Sequence, residues 1–172
     1  MTDPDRFAGA RILESSFPND TGEQSPEVAA ALAEHSADAT TYPRLVATLQ
    51  ASRLMVPVVA LLGEVEFDEQ GLAHDKSSDM AAVLMKGADG RLALLAFTGT
   101  AQLTAWNAEA RPVAVPAAAA ALSAVQEGAD ALVIDIASEH SVVIEGQDLT
   151  AVAAGWQLVE VDGEFGWLRP QE

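Results

Sequence analysis

Met80–Met85 and Arg91–Thr98 stand on either side of Ala88-Asp89-Gly90. An Asp-Gly turn between β-type segments closes a tight antiparallel hairpin, because glycine takes the positive φ such a turn demands. The chain is thereby committed to a sheet with at least one antiparallel pair. Other segments extend it. Arg53–Leu62 is rich in Val and Leu and reads as a mostly buried strand. Pro57 has no amide hydrogen, which predicts that this strand lies at an edge or bulges there. Gly63–Asp68 alternates strictly, with Val65 and Phe67 inward and Glu64, Glu66 and Asp68 on a solvated face. Pro112–Val115 and Ala131–Ile136 are further strands, the second apolar throughout except for Asp135. Ser141–Glu145 returns across Ser138-Glu139-His140, and Trp156–Val161 pairs with Phe165–Leu168 around Asp162-Gly163.

Helices fall between these strands. Ser25-Pro26-Glu27 has the cap, the first-position proline and the first-turn acid of a helix start, and that helix runs to about His35. Thr41 opens a second, with Leu45, Val46 and Leu49 at helical spacing. Thr100 is the expected cap of a short helix over Ala101–Trp106. Pro116 opens an alanine-rich helix that Gly128 closes in a left-handed cap, and a last helix from Gln147 or Asp148 ends at Gly155. Strands that occur both as hairpins and as helix-separated singles predict an α/β fold of the α+β kind. The expected form is a single domain with a mixed β-sheet, hairpins and packed helices. An arm over residues 1–24, a body over 25–155 and a terminal hairpin and tail over 156–172 are the expected divisions. Phe7, Ile12, Leu13 and Phe17 predict that the arm lies against the body or a partner.

Composition narrows the function. The 172 residues hold no cysteine, which excludes disulfides, thiolate metal sites and cysteine nucleophiles and suits a cytoplasmic protein. No signal peptide is visible at the N-terminus, and Leu54–Leu62 is about half a bilayer span. With 26 acidic against 9 basic residues the formal net charge is −17. Such a surface repels phosphate backbones and anionic lipids, so neither nucleic acid nor membrane is an expected partner, whereas a basic protein is.

Reactive groups concentrate in His74-Asp75-Lys76-Ser77-Ser78-Asp79-Met80. Adjacent loop residues diverge, and neither a Ser-x-x-Lys turn nor a Gly-x-Ser-x-Gly elbow is present, so a nucleophile–base pair is not formed. The segment reads as a polar connection or as a ligand or partner contact. No His pair has a metal-binding helical spacing, and no metal is expected. Neither Gly-x-x-x-x-Gly-Lys nor Gly-x-Gly-x-x-Gly occurs, and no cofactor is expected. Thr98, Gly99 and Thr100 lead into a helix start that could hold a small anion. Trp156 and Trp167 would mark a partner site if the terminal hairpin were loosely attached.

Leu54-Met55-Val56-Pro57-Val58-Val59, the His74–Met80 segment, Arg91–Gly99 and Val125–Ala131 together resemble the SseB family, named for enhanced serine sensitivity. The resemblance covers roughly Ala29 to Gly155, and the arm is similar to that of actinobacterial members. It implies no catalytic residue and no cofactor, since the family has none established. The C-terminal domain of some members is expected to be absent. The favoured reading is a non-enzymatic binding or regulatory module for a basic protein. The alternative is a small-ligand sensor, with an amino acid as one candidate ligand, or an uncharacterised enzyme, centred on His74–Asp79 and Thr98-Gly99-Thr100.

Overall fold

The computed structural model describes residues 17–62, 66–67, 73–74 and 78–171, with the backbone alone described from 59 to 81. Helix α1 (Pro26–Ala37) begins as its sequence predicts: extended Ser25 accepts the Val28 amide on its Oγ at 3.2 Å, and Pro26 fills the first turn. A 3-10 turn over Ala39–Thr41, capped by the Asp38 side chain, leads into α2 (Tyr42–Gln50). Leu45, Val46 and Leu49 of α2 are fully buried.

Strand β1 (Arg53–Leu62) is the middle strand of a three-stranded antiparallel sheet. Its order is completed by β4 (Ser78–Ala82) on one side and β7 (Arg111–Pro116) on the other. The expectation that Pro57 marks an edge is corrected here. Pro57 faces Pro112 across the β1–β7 ladder, and Met55, two residues earlier, exchanges both backbone bonds with Phe97 on the opposite side. Bonding direction alternates along an antiparallel strand, so both proline nitrogens point away from that ladder and remove nothing from it. On the far side, Pro57 falls between the Met55–Phe97 bridge and the start of β4 pairing at Val58–Ala82.

Of the strand expected over 63–68, Glu66–Phe67 form β2, paired with β3 (Ala73–His74); 63–65 and 68 lie outside the described residues. The strand expected over Met80–Met85 divides at Val83 into β4 and β5 (Leu84–Lys86). Val83 donates to the Pro57 carbonyl at 3.2 Å and accepts from the Leu95 amide at 3.3 Å. It therefore passes the chain from one sheet to the next, an event that apolar patterning does not register.

The second sheet runs β5–β6–β8–β9, with β6 (Leu92–Ala96), β8 (Ala131–Ile134) and β9 (Val142–Glu145). The β5–β6 hairpin forms as predicted, while β6 and β8 are parallel. Between them lie α3 (Thr100–Trp106), β7 and α4 (Ala117–Gln126). Helix α5 (Gly146–Ala153) precedes the hairpin of β10 (Gln157–Val161) and β11 (Glu164–Leu168).

Period-two alternation divides the interior into two clusters. Leu54, Val56, Leu94, Ala96, Leu132, Ile134, Val142 and Ile144 face α1, α2, α4 and α5 in the main core. Met55, Leu95 and Phe97 point the other way, where Leu103 of α3 and Trp106 cover them. Alanines on α4 (Ala117, Ala120, Ala121, Ala124) are buried and let that helix pack close. The fold is α+β, with mixed sheets, hairpins and packed helices.

Candidate functional site

Two places bring polar or exposed apolar groups together. The first lies past the carboxyl ends of the parallel strands β6 and β8. Asp135, immediately after β8, is fully buried and adopts a left-handed φ of 57°. Its carboxylate accepts the Thr98 amide at 2.8 Å and the Thr98 hydroxyl at 2.5 Å. Burial pushes this carboxyl above its ordinary value, and the two Thr98 bonds pull the other way. Gln24 Nε2 donates to Thr98 Oγ1 at 2.6 Å, so the buried hydroxyl is used as both donor and acceptor.

Residues 17–24 form a strap across this point. Arg53, at the start of β1, donates to both oxygens of Asp20, to the Glu23 carbonyl at 2.7 Å and to the Thr98 carbonyl. The guanidinium holds the Asp20 carboxyl below its usual value, helped by the Gly22 amide at 2.8 Å. The Thr100 amide donates to Gly22 O at 2.7 Å. Helix α3 is capped by extended Gly99 and not by Thr100, correcting the expected cap; the Thr100 hydroxyl points to Met55 Sδ at 3.6 Å. A Cβ on Gly99 would stand 2.8 Å from the Gln24 nitrogen, so glycine here admits the strap. The turn Thr98-Gly99-Thr100 is thus occupied by the chain itself.

Beside the strap an open cleft of about 880 Å³ is lined by Asp20, Glu23, Glu27, Arg53 and Thr48 among others. Arg53, its cation, is committed to Asp20 and two carbonyls. The other charged residues of the lining are acidic, among neutral ones such as Val28, Ala51 and Ser52.

The second place is the terminal hairpin. Asp162 and Gly163 have φ of 52° and 84°, the two left-handed positions of a type I′ turn. One face is anchored: Leu158 and Trp167 pack on the main core, and Trp167 Nε1 donates to Asp148 Oδ1 at 3.3 Å. Gln50 of α2 covers the outer edge of β10, donating to Trp156 O at 2.6 Å and accepting the Leu158 amide at 3.0 Å. Arg169 lies 4.4 Å over the Trp156 ring. The hairpin is therefore attached along this face, and Trp167 serves the attachment. Its other face is uncovered, with Val161 63% and Leu168 58% exposed.

Of the loop predicted to hold a site, His74 ends β3 opposite Glu66, and Ser78 and Asp79 begin β4 opposite Leu62 and Leu61. Asp75, Lys76 and Ser77, and the side chains of the whole segment, lie outside the described residues. No group of three or more metal-binding side chains occurs among the described residues. No helix among them is long and apolar enough to cross a membrane.

The profile of the SseB protein N-terminal domain matches residues 28–151. The chain belongs to this family. No curated protein and no solved structure matches it. The SseB domain contains α1 from Val28, both sheets and most of α5, including Thr98 and Asp135. Strap residues Asp20 and Gln24 precede the matched SseB segment, and the terminal hairpin follows it. Sequence reasoning missed Asp20, Gln24, Arg53, Gln50 and Asp135 as organising groups. Asp135 alone left a signal, as the single charge in an apolar strand.

Proposed function

We propose that this SseB-family chain is a binding or regulatory module that engages a basic protein through its acidic surface and the uncovered side of its terminal hairpin. One observation carries the reading. Val161 and Leu168 are exposed on a face fixed in place from behind, and Glu164 on that face and Asp162 at its turn have no cationic partner among the described residues. A rigid apolar patch with a charged rim fits protein recognition. The charge sets the partner's sign. Arg44, Arg53 and Arg91 each pair with a carboxylate and Arg169 lies on Trp156, so the formal charge of −17 leaves most carboxylates uncompensated. A positive partner would be drawn in quickly, and salt would slow it.

The small-ligand reading is the weaker one. A ligand at Thr98-Gly99-Thr100 would have to displace Gln24 and the Gly22 carbonyl. The test is affinity capture from cell lysate at low and high salt, with the intact chain and with Val161→Asp/Leu168→Asp. Any captured protein is then re-bound in pure form. The reading expects a basic protein that salt releases and the double variant does not retain. Capture indifferent to both changes, or no capture, would overturn it.

A further inference from the structure

We infer that Arg53 and Thr98 form a receptor for an acidic Asp-x-Gly turn, and that the chain's own strap fills it as an exchangeable intramolecular ligand. The inference does not depend on the terminal hairpin.

The receptor holds its shape from the domain side. Asp135, fully buried, accepts both the amide and the hydroxyl of Thr98, which is itself buried. With its proton committed to Asp135, the Thr98 hydroxyl offers only lone pairs to the strap. The Thr98 carbonyl accepts from Arg53 and so directs the guanidinium. None of these contacts involves residues 17–24. The remaining donors of Arg53 face outward, in a planar fork that matches a carboxylate at two points.

The strap meets the receptor with a fixed pattern. Asp20 takes two guanidinium nitrogens, and its Oδ1 also accepts the Gly22 amide at 2.8 Å, closing an Asp-x-Gly turn. Gly22 has a φ of 80°, and a Cβ there would stand 2.3 Å from Thr100 Oγ1, so the turn requires glycine. The Gly22 carbonyl accepts the Thr100 amide at 2.7 Å, and Gln24 donates to the Thr98 hydroxyl at 2.6 Å. Carboxylate, glycine carbonyl and carboxamide thus follow at every second position.

Three observations make the strap a ligand and not part of the core. No residue from 17 to 24 is buried, and residues 20–24 are held by the polar bonds just described. The strap does not fill its groove: open clefts of about 880 and 520 Å³ both border Phe17, Pro18 and Asp20. The matched SseB segment, 28–151, contains Arg53, Thr98, Thr100 and Asp135 but no strap residue. A second peptide with Asp, Gly and Gln at this spacing replaces every bond the strap makes, whereas a free anion satisfies Arg53 alone. The tether gives the strap a high effective concentration, so a free peptide competes best once the strap is weakened.

The probe is a fluorescent peptide copy of residues 17–25, titrated into the full chain and into its Asp20→Asn variant and read by anisotropy. Saturable binding is expected, about tenfold tighter to the variant, because a larger fraction of it is open. The Arg53 side-chain and Thr100 amide signals of the isotope-labelled variant should move on saturation. Peptides carrying Asn for Asp20 or Ala for Gly22 should bind about tenfold more weakly or worse. These changes sit in the peptide, so they leave the folding of the chain untouched. In the unsubstituted chain, the Thr100 amide should exchange roughly tenfold faster than the Phe97 amide, which bonds Met55 within the sheet. The receptor is overturned if the variant does not bind the peptide, if variant and unsubstituted chain bind it equally, or if either altered peptide binds as well. Equal protection of Thr100 and Phe97 would also overturn it, since the strap would then open only with the whole domain. None of these outcomes touches Val161 or Leu168, so the proposed function stands or falls separately.

Discussion

At the scale of single residues, two carboxylates govern the strap and the Thr98-Gly99-Thr100 turn beneath it, with opposite dependence on pH. Asp135 has its carboxyl raised above 3.8, so the folded chain holds that proton more tightly than the unfolded chain does. Its contribution to stability is full below the unfolded value and is lost as pH rises through the higher folded value. Asp20, lowered from 3.8 by Arg53, contributes above that value and loses its contribution as pH falls through the folded one. Asp135→Ala orphans a buried amide and a buried hydroxyl and should destabilise by about 2–4 kcal/mol. Asp135→Asn keeps one acceptor and loses less. The deficit of the Asn variant should be largest near pH 3 and shrink toward neutrality, as chemical denaturation across pH would show. Asp20→Asn should weaken the strap by about 1–2 kcal/mol. Exchange at the Thr100 amide, which bonds Gly22 O, reports it directly.

At the scale of elements, the terminal hairpin depends on one side chain. Gln50 mimics a neighbouring peptide group, accepting from Leu158 and donating to Trp156 O. Gln50→Ala should destabilise by about 1–2 kcal/mol and accelerate exchange at the Leu158 amide before any other in the hairpin. Truncation after Gly155 would strip Leu158 and Trp167 from the main core, so substitutions on the outer face are the cleaner probe of binding. The elements themselves were largely legible. Ser25-Pro26, Asp89-Gly90, Gly128 and Asp162-Gly163 are local devices whose geometry follows from their own backbone chemistry. The missed features depend on distant partners. Val83 separates two sheets only because the Pro57 carbonyl claims its amide and the Leu95 amide claims its carbonyl, and Gly99 admits a strap from 75 positions earlier in the case of Gln24. The Thr98–Asp135 pairing was legible only as an isolated aspartate in an apolar strand.

At the scale of the whole molecule, charge acts on stability and on association with opposite sign. Self-repulsion among 26 acidic residues should ease as ionic strength rises, since at 0.1 M the screening length is about 10 Å. The Tm should therefore climb from low salt to physiological salt, while capture of a basic partner weakens over the same range; scanning calorimetry on one salt series checks the first. The strap and the terminal hairpin flank the matched SseB segment on either side, one sealing the sheet ends and the other carrying the exposed patch. The account rests on that patch being where a partner sits. The direct test is photo-crosslinking in cells, with a benzophenone side chain at Leu168 and, as control, at Leu122 on α4, which is also an exposed apolar position. The account predicts a discrete adduct with a basic protein from Leu168, abolished by Val161→Asp, and none from Leu122. Equal adducts from both positions, or none from Leu168, would contradict it.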